Sequence, residues 1–146
     1  MSLRFKDVSE LPAHLRGQVE PAASDGHGAR RSKYGNERIE YKGQIFDSKL
    51  ERDRYRQLEM LWEAGQVCWF HRQVRFDLEG GVIYRADFQV IWPEGLFQRV
   101  GYEDAKGYLL PEAKNKLKQV RERYKIVIDL IMRRNGQLVS LPWPEL

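Results

Sequence analysis

The chain has 146 residues, of which 42% are hydrophobic and 12% aromatic, so it can bury a core and is not of the intrinsically disordered class. Its net charge of +4 at pH 7 mildly favours a polyanionic partner. Its single cysteine, Cys68, excludes an internal disulfide, and no apolar run approaches the roughly 18 residues that cross a membrane.

The first 31 residues are predicted to be an extension, partly flexible, to a single domain over residues 32–146. Residues 21–28 are rich in glycine and small residues, which is typical of a linker. Residues 30–36 are basic with one aromatic ring, a mixture that follows a nucleic-acid backbone. A solvated arm has the same composition, so both interpretations stay open. The candidate contacts in this segment are Arg31, Lys33 and Tyr34.

A short hairpin and a capped helix are predicted next. Residues 39–46 alternate around a glycine, which favours a hairpin. Ser48 followed by Glu51 is a capping box, so a helix should begin there and stop at Gly65. Capping alone explains Glu51, but a carboxylate aimed at the sheet would give this residue a second role. The stripe predicted to face the core comprises Glu51, Tyr55, Leu58 and Trp62.

The middle of the chain is predicted to form an antiparallel meander. Residues 66–71 and 73–78 read as two strands, and we expect the Cys68 thiol to be buried and inert. Glycines at 80 and 81 then turn the chain into a strand over residues 83–92. Asp87 should lie on the face opposite that strand's apolar side chains. These are Tyr84, Ala86, Phe88, Val90 and Trp92.

The strand that follows ends in an acid, a small residue and a lysine. Residues two apart share a face, so Asp104 and Lys106 point the same way and Glu103 points away. Together with Asp87 they can converge on a divalent cation, because Mg²⁺ is often held by only one or two carboxylates. A lysine there can orient water or stabilise developing negative charge. A cross-strand salt bridge from Asp87 or Asp104 to Lys106 is the structural alternative.

A second helix is predicted from residue 111, followed by a buried strand over residues 125–131 and an edge strand over 137–140. An Asn-Gly turn should join the two strands. The helix's predicted buried stripe comprises Ala113, Leu117, Val120 and Tyr124. Its other faces carry Lys114, Lys116, Lys118, Arg121 and Arg123. This excess of positive charge fits either contact with phosphates or a solvated helix face.

The order of helix, meander, helix and strand, with acids at these positions, resembles the PD-(D/E)xK nuclease superfamily. More closely, four short motifs over about residues 32–131 resemble a small, largely phage-encoded family (DUF1064) regarded as endonucleases. The motifs are Ser32-Lys33-Tyr34, Phe46-Asp47-Ser48-Lys49-x-Glu51, Ala86-Asp87-Phe88 and Glu103-Asp104-x-Lys106-Gly107. The chain departs from the superfamily's literal motif in having Ala86 where a proline precedes the central acid.

The resemblance implies an α/β fold, with a mixed sheet flanked by helices in a restriction-endonuclease-like core. It also implies hydrolysis of phosphodiester bonds with Mg²⁺, for which Mn²⁺ can substitute. The implied catalytic residues are Glu51, Asp87, Asp104 and Lys106. The implied metal ligands are the carboxylates of Asp87, Asp104 and Glu51, with Glu51 binding directly or through water, and the carbonyl of Ala105. In this scheme Lys106 orients the attacking water or stabilises the developing charge.

We therefore expect a metal-dependent DNA endonuclease in the cytoplasm of a bacterium or of a phage-infected host. A small basic domain without a target-recognition domain favours cleavage selected by DNA structure, such as branches or junctions. The expected DNA contacts are Arg31, Lys33, Tyr34, Lys49, Lys114, Lys116, Lys118 and Arg121. No membrane partner is expected, and a homodimer is left open. The alternatives are a non-catalytic DNA-binding or assembly module, and a protein-interaction domain whose acids form salt bridges.

Overall fold

The computed structural model describes residues 37–143. The predicted extension over residues 1–31 and the candidate contacts Arg31, Lys33 and Tyr34 therefore lie outside the described residues. The elements are β1 (Ile39–Tyr41), β2 (Gln44–Phe46), α1 (Lys49–Glu63), β3 (Trp69–Asp77), β4 (Ile83–Glu94), β5 (Phe97–Ala105), α2 (Pro111–Tyr124), β6 (Ile128–Arg134) and β7 (Gln137–Pro142). Neither helix combines the length and apolar character that crossing a bilayer requires.

The main sheet has five strands in the order β3-β4-β5-β6-β7. The first three form the predicted antiparallel meander, and α2 then carries the chain back so that β6 lies parallel to β5. A turn at Asn135 and Gly136, both with positive φ, leads into the edge strand β7. Strands β1 and β2 form a separate hairpin. The predicted α/β fold, a mixed sheet flanked by helices, is thus confirmed.

The two helices cover opposite faces of the sheet. Along β6, Leu130 packs in the same hydrophobic cluster as Leu117 of α2, whereas Arg133 donates a hydrogen bond to Asp53 of α1. Residues at odd and even positions of a strand point to opposite faces, so each helix has its own side. The cluster on the α1 side comprises Phe46, Tyr55, Leu58, Val67, Phe88 and Val90.

Strand β4 changes face at Asp87, which the alternation did not predict. Tyr84 and Ala86 pack in the α2 cluster, whereas Phe88 packs in the α1 cluster. Opposite this point, Gln73 of β3 has a positive φ of 55°. The prediction of one apolar face on β4 was therefore wrong. The two strand-like segments around Gln73 form a single strand, β3, with this conformation in its middle.

The local sequence signals predicted where the helices begin and end better than the helical stripes predicted which residues are buried. The Ser48 hydroxyl caps α1 by accepting from the Glu51 amide, and Gly65 has a φ of 72° just beyond the helix. The burial of Trp62 was predicted wrongly, because its ring is 44% exposed while Arg54 is buried instead. Cys68 is exposed rather than buried. In α2, Leu117 and Val120 are buried as predicted, but Ala113 is only partly buried and Tyr124 is exposed.

Candidate active site

A cleft of about 1050 Å³ opens where β5 ends and both helices begin. It lies at this edge because the carboxyl end of β5 leads directly into Lys106 and the loop before α2. Its lining residues include Lys49, Glu51, Asp87, Ala105, Lys106, Leu110, Ala113 and Arg133. Glu51, Asp87 and Lys106, which come from three separate parts of the chain, thus border one open space.

Asp87, Asp104 and Lys106 are in mutual reach at the inner end of this cleft. Asp87 Oδ2 accepts a hydrogen bond of 2.8 Å from the backbone N–H of Ala105, which ties β4 to the end of β5. Asp104 Oδ2 accepts one of 2.6 Å from the Tyr84 hydroxyl. The other oxygen, Asp104 Oδ1, lies 3.2 Å from Lys106 Nζ, yet it is buried and receives no hydrogen bond of favourable geometry.

The Glu51 carboxylate is close to the two aspartates but already has partners. Its Oε2 accepts from the backbone N–H of Asp47 at 3.0 Å, one residue earlier than the Ser48 amide of a standard capping box. Its Oε1 accepts from Arg72 Nη2 at 3.1 Å and from Gln73 Nε2 at 3.2 Å. Glu51 is therefore paired with a guanidinium through Oε1, and its Oε2 accepts one backbone hydrogen bond.

Gln73 is the one site residue that the sequence did not reveal. Its side-chain amide lies 3.2 Å from Glu51 Oε1 and 3.3 Å from Asp87 Oδ1, so it links the two acids. A positive φ at a residue other than glycine is uncommon, and such conformations concentrate at functional sites. The only sequence signal was the break between the two predicted strands, which fell at the neighbouring residue, Arg72.

The ionisation of the cluster indicates a shortage of positive charge. Burial raises the pKa of Asp87 to about 9, and the charge and hydrogen bond of Asp104 and the charge of Glu51 add to this effect. Burial lowers the pKa of Lys106, but Asp104, Asp87 and Glu51 together outweigh it and raise the pKa above its ordinary value. At neutral pH the aspartate pair therefore retains a proton while the lysine is charged.

The oxygen donors of this site suit a cation that is held by two carboxylates, rather than one that is surrounded completely by protein ligands. Over residues 37–143, no group of three or more His, Cys, Asp or Glu side chains has an arrangement suited to a metal ion. Asp104, which is buried, and Asp87, which is partly buried, nevertheless form a pair of oxygen donors, and Asp104 Oδ1 lacks a hydrogen bond. Mg²⁺ commonly takes one or two carboxylates and completes its shell with water.

Glu103, the neighbour of Asp104, belongs to the opposite face. Its carboxylate accepts from Arg54 Nε at 2.7 Å and from Arg54 Nη2 at 2.5 Å, and both side chains are buried. Gln57 of α1 accepts a further hydrogen bond from the same guanidinium. This ion pair joins β5 to α1 and lies outside the cleft lining.

The basic residues of α2 divide into two groups. At 3.6 residues per turn, Lys114, Lys118 and Arg121 fall in one row along the helix, whereas Lys116 lies about half a turn away. Lys116 pairs with Glu112 at 3.0 Å. The row members are exposed. The predicted DNA contacts on α2 are therefore brought together except for Lys116, and Lys49 is the predicted contact that borders the cleft itself.

A family model described as "Protein of unknown function (DUF1064)" matches residues 31–136 of the chain. The matched segment includes the cleft with Glu51, Asp87, Asp104 and Lys106. Neither the curated proteins nor the solved structures contain a significant match.

Proposed function

The chain belongs to the DUF1064 family, and from the chemistry of its cleft we propose that it is a Mg²⁺-dependent DNA endonuclease of the PD-(D/E)xK type. The observation that carries this proposal is the pair of Asp104, which is buried, and Asp87, which is partly buried, with Lys106 Nζ 3.2 Å from an Asp104 oxygen that has no hydrogen bond. A pair of carboxylates with a lysine in an open cleft has the composition of a site for metal-assisted phosphodiester hydrolysis.

Charge balance argues against a purely structural salt bridge. Asp104, which is buried, and Asp87, which is partly buried, share one lysine whose side chain is 38% exposed, and the pKa of Asp87 is raised by burial and by its acidic neighbours. A buried ion pair offsets its desolvation cost only when its geometry is excellent and its remaining oxygens are satisfied. The aspartate pair does not meet that condition, whereas the pair of Glu103 with Arg54 does.

The residues of the cluster have separable roles in this proposal. Asp87 and Asp104 would hold the cation, which when bound supplies an activated water and polarises a phosphoryl oxygen. The Ala105 amide fixes Asp87 Oδ2 and the Tyr84 hydroxyl fixes Asp104 Oδ2, so Asp104 Oδ1 is the oxygen left without a hydrogen bond. Lys106, which is charged because of its acidic neighbours, would stabilise negative charge that develops on the phosphate.

Glu51 and Gln73 would act around the cation rather than on it. Glu51 is held by Arg72, so we assign it to orienting water and to fixing the Gln73 amide. Gln73 donates to Asp87 Oδ1 and so sets the rotation of that carboxylate. Residues of this kind tune a metal site without touching the metal. Of the two modes that the family resemblance left open for Glu51, direct contact with the cation or contact through water, this assignment takes the second.

A cleavage assay tests the proposal. Linear, nicked, flap and four-way-junction DNA are incubated with the native chain in Mg²⁺, in Mn²⁺ and in EDTA. We expect cleavage with either metal, none with EDTA, and a preference for branched substrates. Asp87→Asn should abolish cleavage. Asp77→Asn is the matched control, because Asp77 is an exposed acid whose side chain contacts only Arg75.

Three outcomes contradict the proposal: no cleavage by the native chain, cleavage that survives EDTA, or an Asp87→Asn variant as active as Asp77→Asn. DNA binding without cleavage would favour the alternative of a non-catalytic DNA-binding or assembly module. The observation that favours this alternative is the row of exposed basic residues on α2.

A further inference from the structure

A second cavity, of about 520 Å³, lies at the end of α2 that is remote from the cleft. It is lined by Lys118, Arg121, Glu122, Lys125, Val127 and Trp143. None of these residues borders the cleft. Its lining thus combines three cationic side chains with one acid and one large aromatic ring.

The cationic residues continue the exposed row on α2. With 3.6 residues per turn, Lys114, Lys118 and Arg121 fall within about one sixth of the helix circumference, and Lys125 follows them as the C-cap, with a positive φ of 58°. All four are exposed. The acid of the cavity, Glu122, is 3.9 Å from Lys118, and both side chains are about two-thirds exposed, so this pair is screened by solvent and weak. The row therefore presents a net positive track.

The track runs along the helix that joins the second cavity to the cleft. Ala113, in the first turn of α2, borders the cleft, and Lys125 caps the other end of the helix. At 1.5 Å per residue these positions are about 18 Å apart along the axis. A polyanion that lies along the track can therefore occupy both sites at once.

Trp143 gives the second cavity a fixed aromatic wall. Its backbone N–H donates to the carbonyl of Ile128 at 3.2 Å, and its side chain packs against the core cluster that contains Leu117. The indole is only partly buried, so one part of it faces the cavity. An aromatic platform beside a basic groove is the arrangement that binds single-stranded nucleic acid through base stacking. Paired bases in a duplex do not offer their flat faces in this way.

We propose that this cavity binds a nucleotide of single-stranded DNA, with its base against Trp143 and its phosphates near Lys118, Arg121 and Lys125. The strand then continues along α2 towards the cleft, a direction that rests on the proposed function. The preferred substrate is accordingly branched DNA that carries a single-stranded arm, such as a flap, rather than fully paired DNA.

The test measures binding in EDTA, where cleavage does not interfere. Fluorescence anisotropy of a labelled oligothymidylate and of a labelled hairpin duplex is recorded with the native chain. Trp143→Leu should weaken oligothymidylate binding about tenfold, while Trp143→Phe, which keeps an aromatic face, should retain most of it. Duplex binding should change little in either variant.

A second pair of variants tests the proposal without changing Trp143, so the result does not depend on whether the Trp143 variants fold. Replacing both Lys118 and Arg121 by Gln should lower the salt slope of oligothymidylate binding by about 1.4, at about 0.7 per phosphate contact. Lys116→Gln on the same helix, half a turn away, is the matched control and should leave the slope unchanged.

The inference is overturned if the native chain does not bind oligothymidylate, if Trp143→Leu and Trp143→Phe bind equally well, or if the double variant keeps the native salt slope. Cleavage of duplex DNA without oligothymidylate binding would refute this inference and leave the proposed function standing. Oligothymidylate binding without any metal-dependent cleavage would refute the proposed function and leave this inference standing.

Discussion

Glu103 and Asp104 are consecutive acids at the end of β5, both almost completely buried, with side chains 3% and 1% exposed. Glu103 points to the α1 side and receives two hydrogen bonds from Arg54. Asp104 points to the opposite side and shares Lys106 with Asp87, and one of its oxygens receives no hydrogen bond. The same strand therefore buries one carboxylate with a full complement of partners and another without it.

We infer from this difference that the charge of Glu103 stabilises the fold, whereas the charge of Asp104 is available to a ligand. Arg54 supplies a bidentate guanidinium, the partner that best satisfies a buried carboxylate. The α1 face is not free of strain, because burial and the charge of Glu103 raise the pKa of Asp129, but Asp129 is only partly buried and Arg99 and Arg54 oppose the shift. On the cleft face no guanidinium reaches Asp87 or Asp104 among the described residues, and in the proposed function a bound cation supplies the missing positive charge.

The largest expected effect on stability comes from breaking the satisfied pair. Arg54→Leu leaves Glu103 buried without its guanidinium, and stranding a charge in this way costs about 3–5 kcal/mol. We expect the melting temperature to fall by roughly 10 °C or more. Arg75→Leu is the control, since Arg75 and Asp77 form an exposed pair worth about 0–1 kcal/mol. If the two variants lowered the melting temperature equally, the ion pair of Glu103 would contribute no more to stability than that of a surface acid.

Removing an acid from the cleft should raise the stability of the fold rather than lower it. The folded-state pKa of Asp87, about 9, lies above its ordinary value of 3.8, so the folded protein favours the protonated carboxyl. The stability that this group contributes is fully present below pH 3.8 and is lost as the pH rises towards 9. Asp87→Asn, which stays neutral, should therefore match the native chain at low pH and exceed its stability at pH 7 without metal. Urea unfolding in EDTA at both pH values measures this difference, and a clear loss of stability at pH 7 would contradict the account.

A smaller effect is expected for single charges on α2. Lys114→Gln should lower the salt slope of duplex DNA binding by about one, regardless of base sequence, because one phosphate contact is lost. Lys116→Gln should change the slope less, because Lys116 lies off the row and is paired with Glu112. Equal slopes for the native chain and Lys114→Gln would remove this residue from the contact surface.

Sequence patterns predicted those parts of the site that depend on local rules. The opposite directions of Glu103 and Asp104 follow from regular alternation at the end of a strand, and the start of α1 follows from the Ser48 cap. The change of face at Asp87 was missed because a positive φ at Gln73 is not encoded in a period of two. The burial of Arg54 was missed because its partner is 49 residues away and is brought near only by the fold.

The central claim is that Asp87 and Asp104 form a cation site while Glu103 does not take part, and melting in the presence of Mg²⁺ tests it most directly. A cation that binds only the folded chain raises the melting temperature by mass action. At constant ionic strength, Mg²⁺ should raise the melting temperature of the native chain and of Glu103→Gln, although the latter melts lower, and should not affect Asp104→Asn. A native melting temperature that is insensitive to Mg²⁺, or an equal rise in Asp104→Asn, would contradict the claim.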